Sequence, residues 1–219
     1  MTYTGEVEVG GPADVQDAGD LQITKVAVGP MSNNAYLLKC QLTGEQVLID
    51  AADEAGTLLA LIGDAGLARV VTTHSHGDHW QALAEVVDAT GAETVAGEAD
   101  ADDIPVPTTT RVNTGARIRV GSCELEVIGI VGHTPGSIAL AYDDPDGSVH
   151  LFTGDSLFPG GVGKTFGDAE AFTSLINDVE SKIFDHFDDD THVYPGHGND
   201  LVRLGDDRGN LAEWRERGW

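Results

Sequence analysis

The 219-residue sequence has few basic side chains. Lysine and arginine number 12 against 37 aspartates and glutamates, which gives a formal net charge of −25 at pH 7. A protein of this charge repels phosphate backbones and anionic lipid, so nucleic-acid and membrane-surface binding are not expected. The acidic composition fits either adaptation to high salt or a GC-rich genome.

Cysteine and long apolar stretches are also scarce. Cys40 and Cys123 are the only cysteines, and each lies in a strand-like apolar segment, which favours buried free thiols over a disulfide. No run of about 18 apolar residues is present that could span a bilayer. The first 20 residues carry no lysine, no arginine and no continuous apolar stretch, unlike a secretory signal peptide. We therefore expect a cytoplasmic protein without membrane contact.

Turn residues divide the chain into short strand-like and helix-like segments. Residues 1–20 are acidic and rich in Gly and Asp, and they are predicted to be loose, whereas residues 21–219 are predicted to form one domain. The pattern predicts strands at 21–28, 35–42, 46–49, 69–73, 117–120, 125–130, 138–142, 149–152 and 192–194. It predicts helices at 53–62, with Asp53 as a possible N-cap, at 80–90 and at 169–184. Strand clusters with interspersed helices, in two similar halves, favour two sheets packed face to face with helices outside.

Histidines and aspartates with the spacing of metal ligands follow the predicted strand at 69–73. Residues 74–79 read His-Ser-His-Gly-Asp-His. In a tight loop alternate residues point the same way, so His74 and His76 can share one metal ion. Asp78 and His79, displaced along the turn, can serve a second ion.

Three further candidates share one context, because each follows an apolar strand and is flanked by a turn glycine. They are His133, Asp155 and His197. A single histidine beside glycine is usually only a loop residue, but the dense cluster at 74–79 makes all three candidate ligands. The other histidines lack this context: His150 is interpreted as a strand residue, and His186 and His192 as surface residues.

Together these motifs resemble those of the metallo-β-lactamase-fold hydrolases, and within that superfamily those of the glyoxalase II (hydroxyacylglutathione hydrolase) group. The resemblance covers about residues 21–200 and rests on 74–79, Gly132-His133-Thr134-Pro135-Gly136, Gly154-Asp155-Ser156-Leu157-Phe158 and Pro195-Gly196-His197-Gly198. It implies an α+β fold, a four-layer αββα sandwich with a metal site along one edge. It also implies the ligand sets: His74, His76 and His133 on one ion, Asp78, His79 and His197 on the other, and Asp155 as a bridge.

A site of this kind predicts hydrolysis. Three histidines on an ion leave an open coordination position, and two ions about 3.5–4 Å apart can share a hydroxide as the nucleophile. A thiolate leaves without a general acid, and the motif loops hold no spare acid, so a small-molecule thioester or similarly activated ester is the expected substrate. The expected cofactors are two divalent ions, zinc first, with iron or manganese as alternatives. Asp78 and Asp155 are the predicted catalytic residues.

Three other residues are assigned with alternatives. Asp50 ends a strand and resembles the superfamily aspartate that lies behind the metal loop; a plain turn aspartate is the alternative. By the same resemblance Lys164 would bind a carboxylate of the thiol carrier and Phe166 would contact the substrate. The alternative is a glycine-rich loop with a solvated lysine. The acyl group, the carrier thiol and the oligomeric state stay open.

A second function fits the same motifs. By resemblance, a persulfide dioxygenase would hold a single iron ion on His74, His133 and Asp155, and its metal content would separate it from a dinuclear hydrolase. A β-lactamase proper is disfavoured because Asp155 stands where those enzymes resemble one another in having Cys or Ser. A nuclease would require a basic surface, and a non-enzymatic scaffold would be expected to have lost ligands.

Overall fold

The computed structural model describes residues 3–145 and 147–218, whose strands form two sheets and a two-stranded ribbon. The first sheet has seven strands in chain order: β1 (Asp14–Ala18), β2 (Leu21–Val28), β3 (Asn33–Cys40), β4 (Gln46–Ile49), β5 (Arg69–Thr72), β6 (Glu93–Gly97) and β7 (Thr110–Val112). The second has five, in the order β14-β11-β10-β9-β8: β8 (Arg117–Val120), β9 (Cys123–Gly129), β10 (Ile138–Asp143), β11 (Val149–Gly154) and β14 (His192–Pro195). The ribbon pairs β12 (Leu157–Phe158) with β13 (Gly161–Val162).

Among the described residues, three α-helices occupy connections between strands and two follow the last strand, β14. They are α1 (Ala55–Ile62), α2 (Leu83–Thr90), α3 (Ala169–Val179), α4 (Gly205–Arg208) and α5 (Leu211–Arg217). A π-helical segment, Glu180–Phe184, continues α3, and short 3₁₀ turns lie at Gly63–Ala65 and Gly77–His79. No helix among the described residues is both long and apolar enough to cross a membrane.

The core lies between the two sheets. Leu38 on β3 packs there with Leu125 on β9 and Phe152 on β11, and all three are fully buried. Because side chains alternate across a strand, Leu37 points to the opposite face of the first sheet. The inner strands β2 to β4 are therefore buried on both faces, which explains why most of their side chains are apolar.

Two outer clusters complete the sandwich. On the first sheet, Leu58 of α1 and Val86 of α2 pack over its outer face. On the second sheet, Ile176 of α3 and Trp214 of α5 do the same. The four layers are helix, sheet, sheet and helix, so the predicted αββα fold is confirmed.

Strand direction brings the loops that carry the candidate ligands to one edge. In the first sheet β4, β5 and β6 run parallel, and in the second β11 runs parallel to β14. The carboxyl ends of these strands therefore meet at a common edge. There the amide N of Asn34 on β3 donates to the carbonyl of Gly196 after β14 (2.7 Å), which joins the two sheets.

The prediction of a loose segment over residues 1–20 is wrong for β1. This strand pairs antiparallel with β2, from Asp14 opposite Lys25 to Ala18 opposite Leu21. Its alternating polar residues hide the strand in sequence, because only Ala18 is buried and the backbone pairing holds the rest. The N-cap of α1 is also Glu54 rather than Asp53, whose carboxylate instead accepts the amide of Glu54 (2.6 Å).

The remaining predictions about single residues give mixed results. Cys40 and Cys123 are buried free thiols, as predicted. His150 lies on β11 and His186 is exposed, also as predicted. His192 is not a surface residue, because its ring stacks on Tyr194 with centroids 4.4 Å apart and is only partly exposed.

Candidate metal centre

All seven predicted ligands converge at the shared edge of the two sheets. The 74–79 loop follows β5, His133 lies between β9 and β10, Asp155 follows β11, and His197 follows β14. Their imidazole nitrogens and carboxylate oxygens form three overlapping groups, and within each group these atoms lie within 4.8 Å of one another. The groups are His74-His76-His133, His74-His79-Asp155 and Asp78-His79-His197.

The first cluster consists of His74, His76 and His133. His76 Nδ1 lies 2.9 Å from His133 Nε2. The other ring nitrogen of His133, Nδ1, donates to the carbonyl of Lys164 (2.8 Å), which leaves Nε2 with a free lone pair toward the cluster. Burial lowers the pKa of His74 and of His133. Both rings are therefore held neutral, the form that binds metal.

The second cluster consists of Asp78, His79 and His197. Asp78 Oδ2 lies 3.3 Å from His197 Nε2 and 3.6 Å from His79 Nε2. His197 Nδ1 donates to the carbonyl of Met31 (3.2 Å), so its Nε2 faces the cluster. Asn33 donates its side-chain amide to Asp78 (2.8 Å), which holds the carboxylate in this position.

Asp155 lies between the two clusters. One carboxylate oxygen is 3.4 Å from His79 Nε2, and the other is 3.5 Å from His133 Nε2 and 3.6 Å from His197 Nε2. Burial alone would raise the pKa of Asp155, but the electrostatic attraction of the nearby His79 imidazole outweighs it and holds the pKa well below its usual range. The carboxylate is therefore ionised and reaches donors of both clusters.

Asp50 fixes the orientation of His79. The carboxylate is 2% exposed and lies 2.8 Å from His79 Nδ1, so that Nε2 of the ring points at the cluster. Thr73 donates to Asp50 from its amide and its hydroxyl (2.8 Å each). Burial would lower the pKa of His79, yet without a metal ion the carboxylates of Asp50 and Asp155 raise it to about 10, and a cation at Nε2 would take the place of that proton. These contacts distinguish Asp50 from a plain turn aspartate.

Three buried polar atoms at the centre have no hydrogen-bond partner among the described residues. They are His74 Nε2, His79 Nε2 and Asp155 Oδ1, which belong to one of the three groups of candidate metal ligands. An unsatisfied buried polar atom costs about 1–3 kcal/mol. A divalent cation would satisfy all three at once, so this donor set fits a metal ion.

Sequence reasoning missed Asp100, which ties two ligand loops together. Its fully buried carboxylate accepts the amide of Ser75 (2.8 Å), the hydroxyl of Thr134 (2.6 Å) and the amide of Gly136 (2.6 Å). A Cβ on Gly136 would come within 2.3 Å of the Asp100 amide, so only glycine fits this approach. The glycine in the His133 motif was the only sequence signal of this contact.

A pocket of about 700 Å³ opens over the two clusters. Phe158, Val162 and Phe166 give it apolar walls, and Lys164 also lines it. The Phe166 ring is 78% exposed and lies 5.8 Å from the His76 ring. The structure thus places Lys164 and Phe166, the two predicted substrate-binding residues, beside the candidate ligands.

The chain belongs to the metallo-β-lactamase superfamily, whose family model matches residues 28–208. Among its relatives, the hydroxyacylglutathione hydrolase of Cereibacter sphaeroides is 40% identical over 150 residues, which cover 67% of this chain and 57% of that protein. The chain therefore matches little more than half the length of that relative. Both the superfamily and the likeness to the glyoxalase II group are as predicted.

Solved structures with the same fold include two with sequence identity above a quarter. One is ETHE1 from Myxococcus xanthus, with a TM-score of 0.76, 26% identity and coverage of 89% of this chain and 84% of that chain. The other is TTHA1623 in a di-iron-bound form, with a TM-score of 0.68, 29% identity and coverage of 84% of this chain and 96% of that chain.

Proposed function

We propose that the chain is a dinuclear metal-dependent hydrolase that cleaves a small-molecule thioester or similarly activated ester. The observation that carries the proposal is the convergence of seven imidazole and carboxylate side chains, with three orphaned donor atoms at their centre. The hydroxyacylglutathione hydrolases among the relatives support a thioester substrate. The di-iron form of TTHA1623 supports a site for two ions.

In the proposed site each cluster would hold one ion. The first ion would be held by His74, His76 and His133, the second by Asp78, His79 and His197, and Asp155 would contribute to both. When bound, two divalent ions would supply Lewis acidity and lower the pKa of a coordinated water molecule. Zinc is the first expectation, with iron and manganese as alternatives.

The chain's own side chains orient these groups and the substrate. Asp50 keeps His79 in one tautomer, and Asn33 keeps Asp78 pointed at the cluster. The acyl group lies over the two clusters, while Lys164 binds a substrate carboxylate and Phe166 packs on the carrier. A thiolate leaving group needs no protonation by a side chain, which fits a site whose carboxylates and imidazoles all serve as ligands or ligand supports.

Metal analysis combined with a small substrate panel tests the proposal. Purified protein loaded with zinc, manganese or ferrous iron should approach two ions per chain and release thiol from a short acyl thioester. Asp78→Ala should retain one ion and lose most of the hydrolysis. A firm value of one ion in both proteins would rule out the second site. A single iron with oxygen consumption and no thioester cleavage would favour the dioxygenase instead.

A further inference from the structure

A buried lysine lies behind the loop that carries His197. Lys25 on β2 is fully buried. Its ammonium donates to the carboxylate of Asp200 (2.7 Å) and to the carbonyls of Gly5 (2.6 Å) and Gly198 (2.8 Å). Three acceptors match the three N–H groups of an ammonium, so the buried charge is fully satisfied.

Asp200 is satisfied as completely as its partner. Its side chain has no exposed area, and the second carboxylate oxygen accepts the hydroxyl of Tyr3 (2.5 Å) and lies 3.2 Å from His192 Nε2. A buried ion pair of this kind persists only when hydrogen bonds satisfy both groups. The pair therefore forms a rigid support beneath residues 198–200.

Neighbouring groups of the first sheet hold the same loop. Asn34 donates its side-chain amide to the carbonyls of Pro195 and Gly198 (2.9 Å each), and Tyr36 donates its hydroxyl to Pro195 (2.6 Å). The carbonyls on either side of His197 are thus fixed by side chains on β2 and β3. The imidazole of His197 is 23% exposed, and its polar contacts are all long: Nδ1 lies 3.2 Å from the Met31 carbonyl, and Nε2 lies 3.3 Å from Asp78 and 3.4 Å from the Asn33 side-chain amide. Its position therefore depends largely on this backbone.

We infer that Lys25 and Asp200 are positioning residues for the second cluster, and that they place His197 opposite Asp78 by holding the carbonyl of Gly198. The inference rests on the proposed dinuclear site. The expected effect is selective for the second ion, because Asp100 holds the loops of the first cluster through a separate hydrogen-bond network. Loss of the pair should therefore weaken one ion and spare the other.

The first test compares Lys25→Met with Lys39→Met, which removes a partly exposed lysine from the adjacent strand β3. Chelator competition measures the dissociation constants of both ions in each protein. For Lys25→Met we expect the second ion to bind about 10- to 100-fold more weakly, as for other groups that orient metal ligands, with the first ion unchanged. Removing the positive charge of Lys25 would by itself strengthen the binding of a metal cation. Weaker binding of the second ion would therefore show an effect on ligand position rather than an effect of charge.

Lys25→Met leaves the Asp200 carboxylate buried and unpaired, which can disturb folding. The double variant Lys25→Met/Asp200→Leu removes both charges, a replacement that buried pairs often tolerate. It should fold and still bind the second ion weakly. In metal-free protein, amide hydrogen exchange over residues 195–201 should be at least about tenfold faster than in wild type and Lys39→Met, because the Gly198 carbonyl has lost one of its two side-chain donors and the buried ion pair beneath it.

These measurements also separate the inference from the proposed function. Wild-type affinity for the second ion in the double variant would overturn the inference, and so would equal weakening of both ions. Wild-type exchange rates over residues 195–201 in both Lys25→Met and the double variant would overturn the inference as well. Thioester turnover is measured separately on the loaded wild type, and its absence would count against the proposed hydrolase while the exchange and affinity comparisons still decide the role of Lys25 and Asp200.

Discussion

Asp155 differs from the other candidate ligands because its carboxylate lies within 3.6 Å of imidazole nitrogens from both clusters. Asp155→Asn keeps the size of the side chain but removes the charge that both ions would share. Misplacing reacting groups by about 1 Å can cost about 100-fold in rate. We therefore expect kcat for thioester hydrolysis to fall at least about 100-fold while the fold survives, as measured by steady-state kinetics with circular dichroism and metal content in parallel.

The matched control for this variant is His186→Asn. His186 is exposed and lies outside all three donor groups, so its loss should leave kcat nearly unchanged. Near-normal turnover in Asp155→Asn, together with a full metal complement, would show that the carboxylate does not bridge.

Lys164 is the lysine of the pocket, and no ion-pair partner for it is found within residues 3–145 and 147–218. If it binds a substrate carboxylate, Lys164→Ala should raise KM about tenfold on an anionic thioester with kcat little changed, because binding is lost equally in ground and transition states. Lys39→Ala serves as the control. An unchanged KM would identify Lys164 as a solvated lysine in a glycine-rich loop.

The sequence predicts ligands better than the residues that support them. His74, His76, Asp78 and His79 are recognisable because metal ligands of one loop recur at short spacing. Asp100 is not, because its three partners lie up to 36 positions away, and nothing local marks its carboxylate as buried. Lys25 is hidden for the same reason, since a lysine within a strand is normally read as a solvent-facing residue.

At the scale of elements, α3 depends on one capping residue close to the pocket. The carboxylate of Asp168 accepts the amides of Glu170 and Ala171 (2.9 Å each). Asp168→Ala should lower the free energy of unfolding by about 1 kcal/mol, or Tm by about 2–4 °C, measured by calorimetry. The exposed Asp188→Ala removes the same charge without a cap, so an equal change in Tm for both variants would contradict the capping role.

Element boundaries show which strands carry a local signal. The strand predicted at 21–28 is found unchanged, because its apolar run is buried on both faces. The strands that were not predicted are β1, β6, β7, β12 and β13. Among them, β1 alternates polar residues at a sheet edge, and β7 has three residues, two of them exposed. Both exist through pairing with a neighbouring strand, which is information that local periodicity does not contain.

At the scale of the whole molecule, the net charge of −25 opposes the approach of an anionic substrate. Salt shortens the Debye length from about 30 Å at 0.01 M to about 10 Å at 0.1 M. The ratio of kcat/KM for an anionic thioester to that for a neutral one should therefore rise over this range, as measured with a matched pair of substrates. A ratio that falls with salt would show that the local positive field of Lys164 and the ions outweighs the net negative charge of the protein as the anionic substrate approaches.

Each metal cluster draws its donors from both halves of the sandwich. His74 and His76 follow a strand of the first sheet and His133 one of the second; Asp78 and His79 belong to the first and His197 to the second. Under the proposed ligand assignment, each ion would cross-link the two sheets. Neither sheet alone offers a complete set of ligands for either ion. Each ion would bind fully only after the two sheets have packed together. The bound ions would have to dissociate before the sheets separate. Removal of the metal would therefore lower the stability of the folded protein as well as its activity. A ligand at about 100 times its dissociation constant adds about 2.7 kcal/mol to the free energy of unfolding.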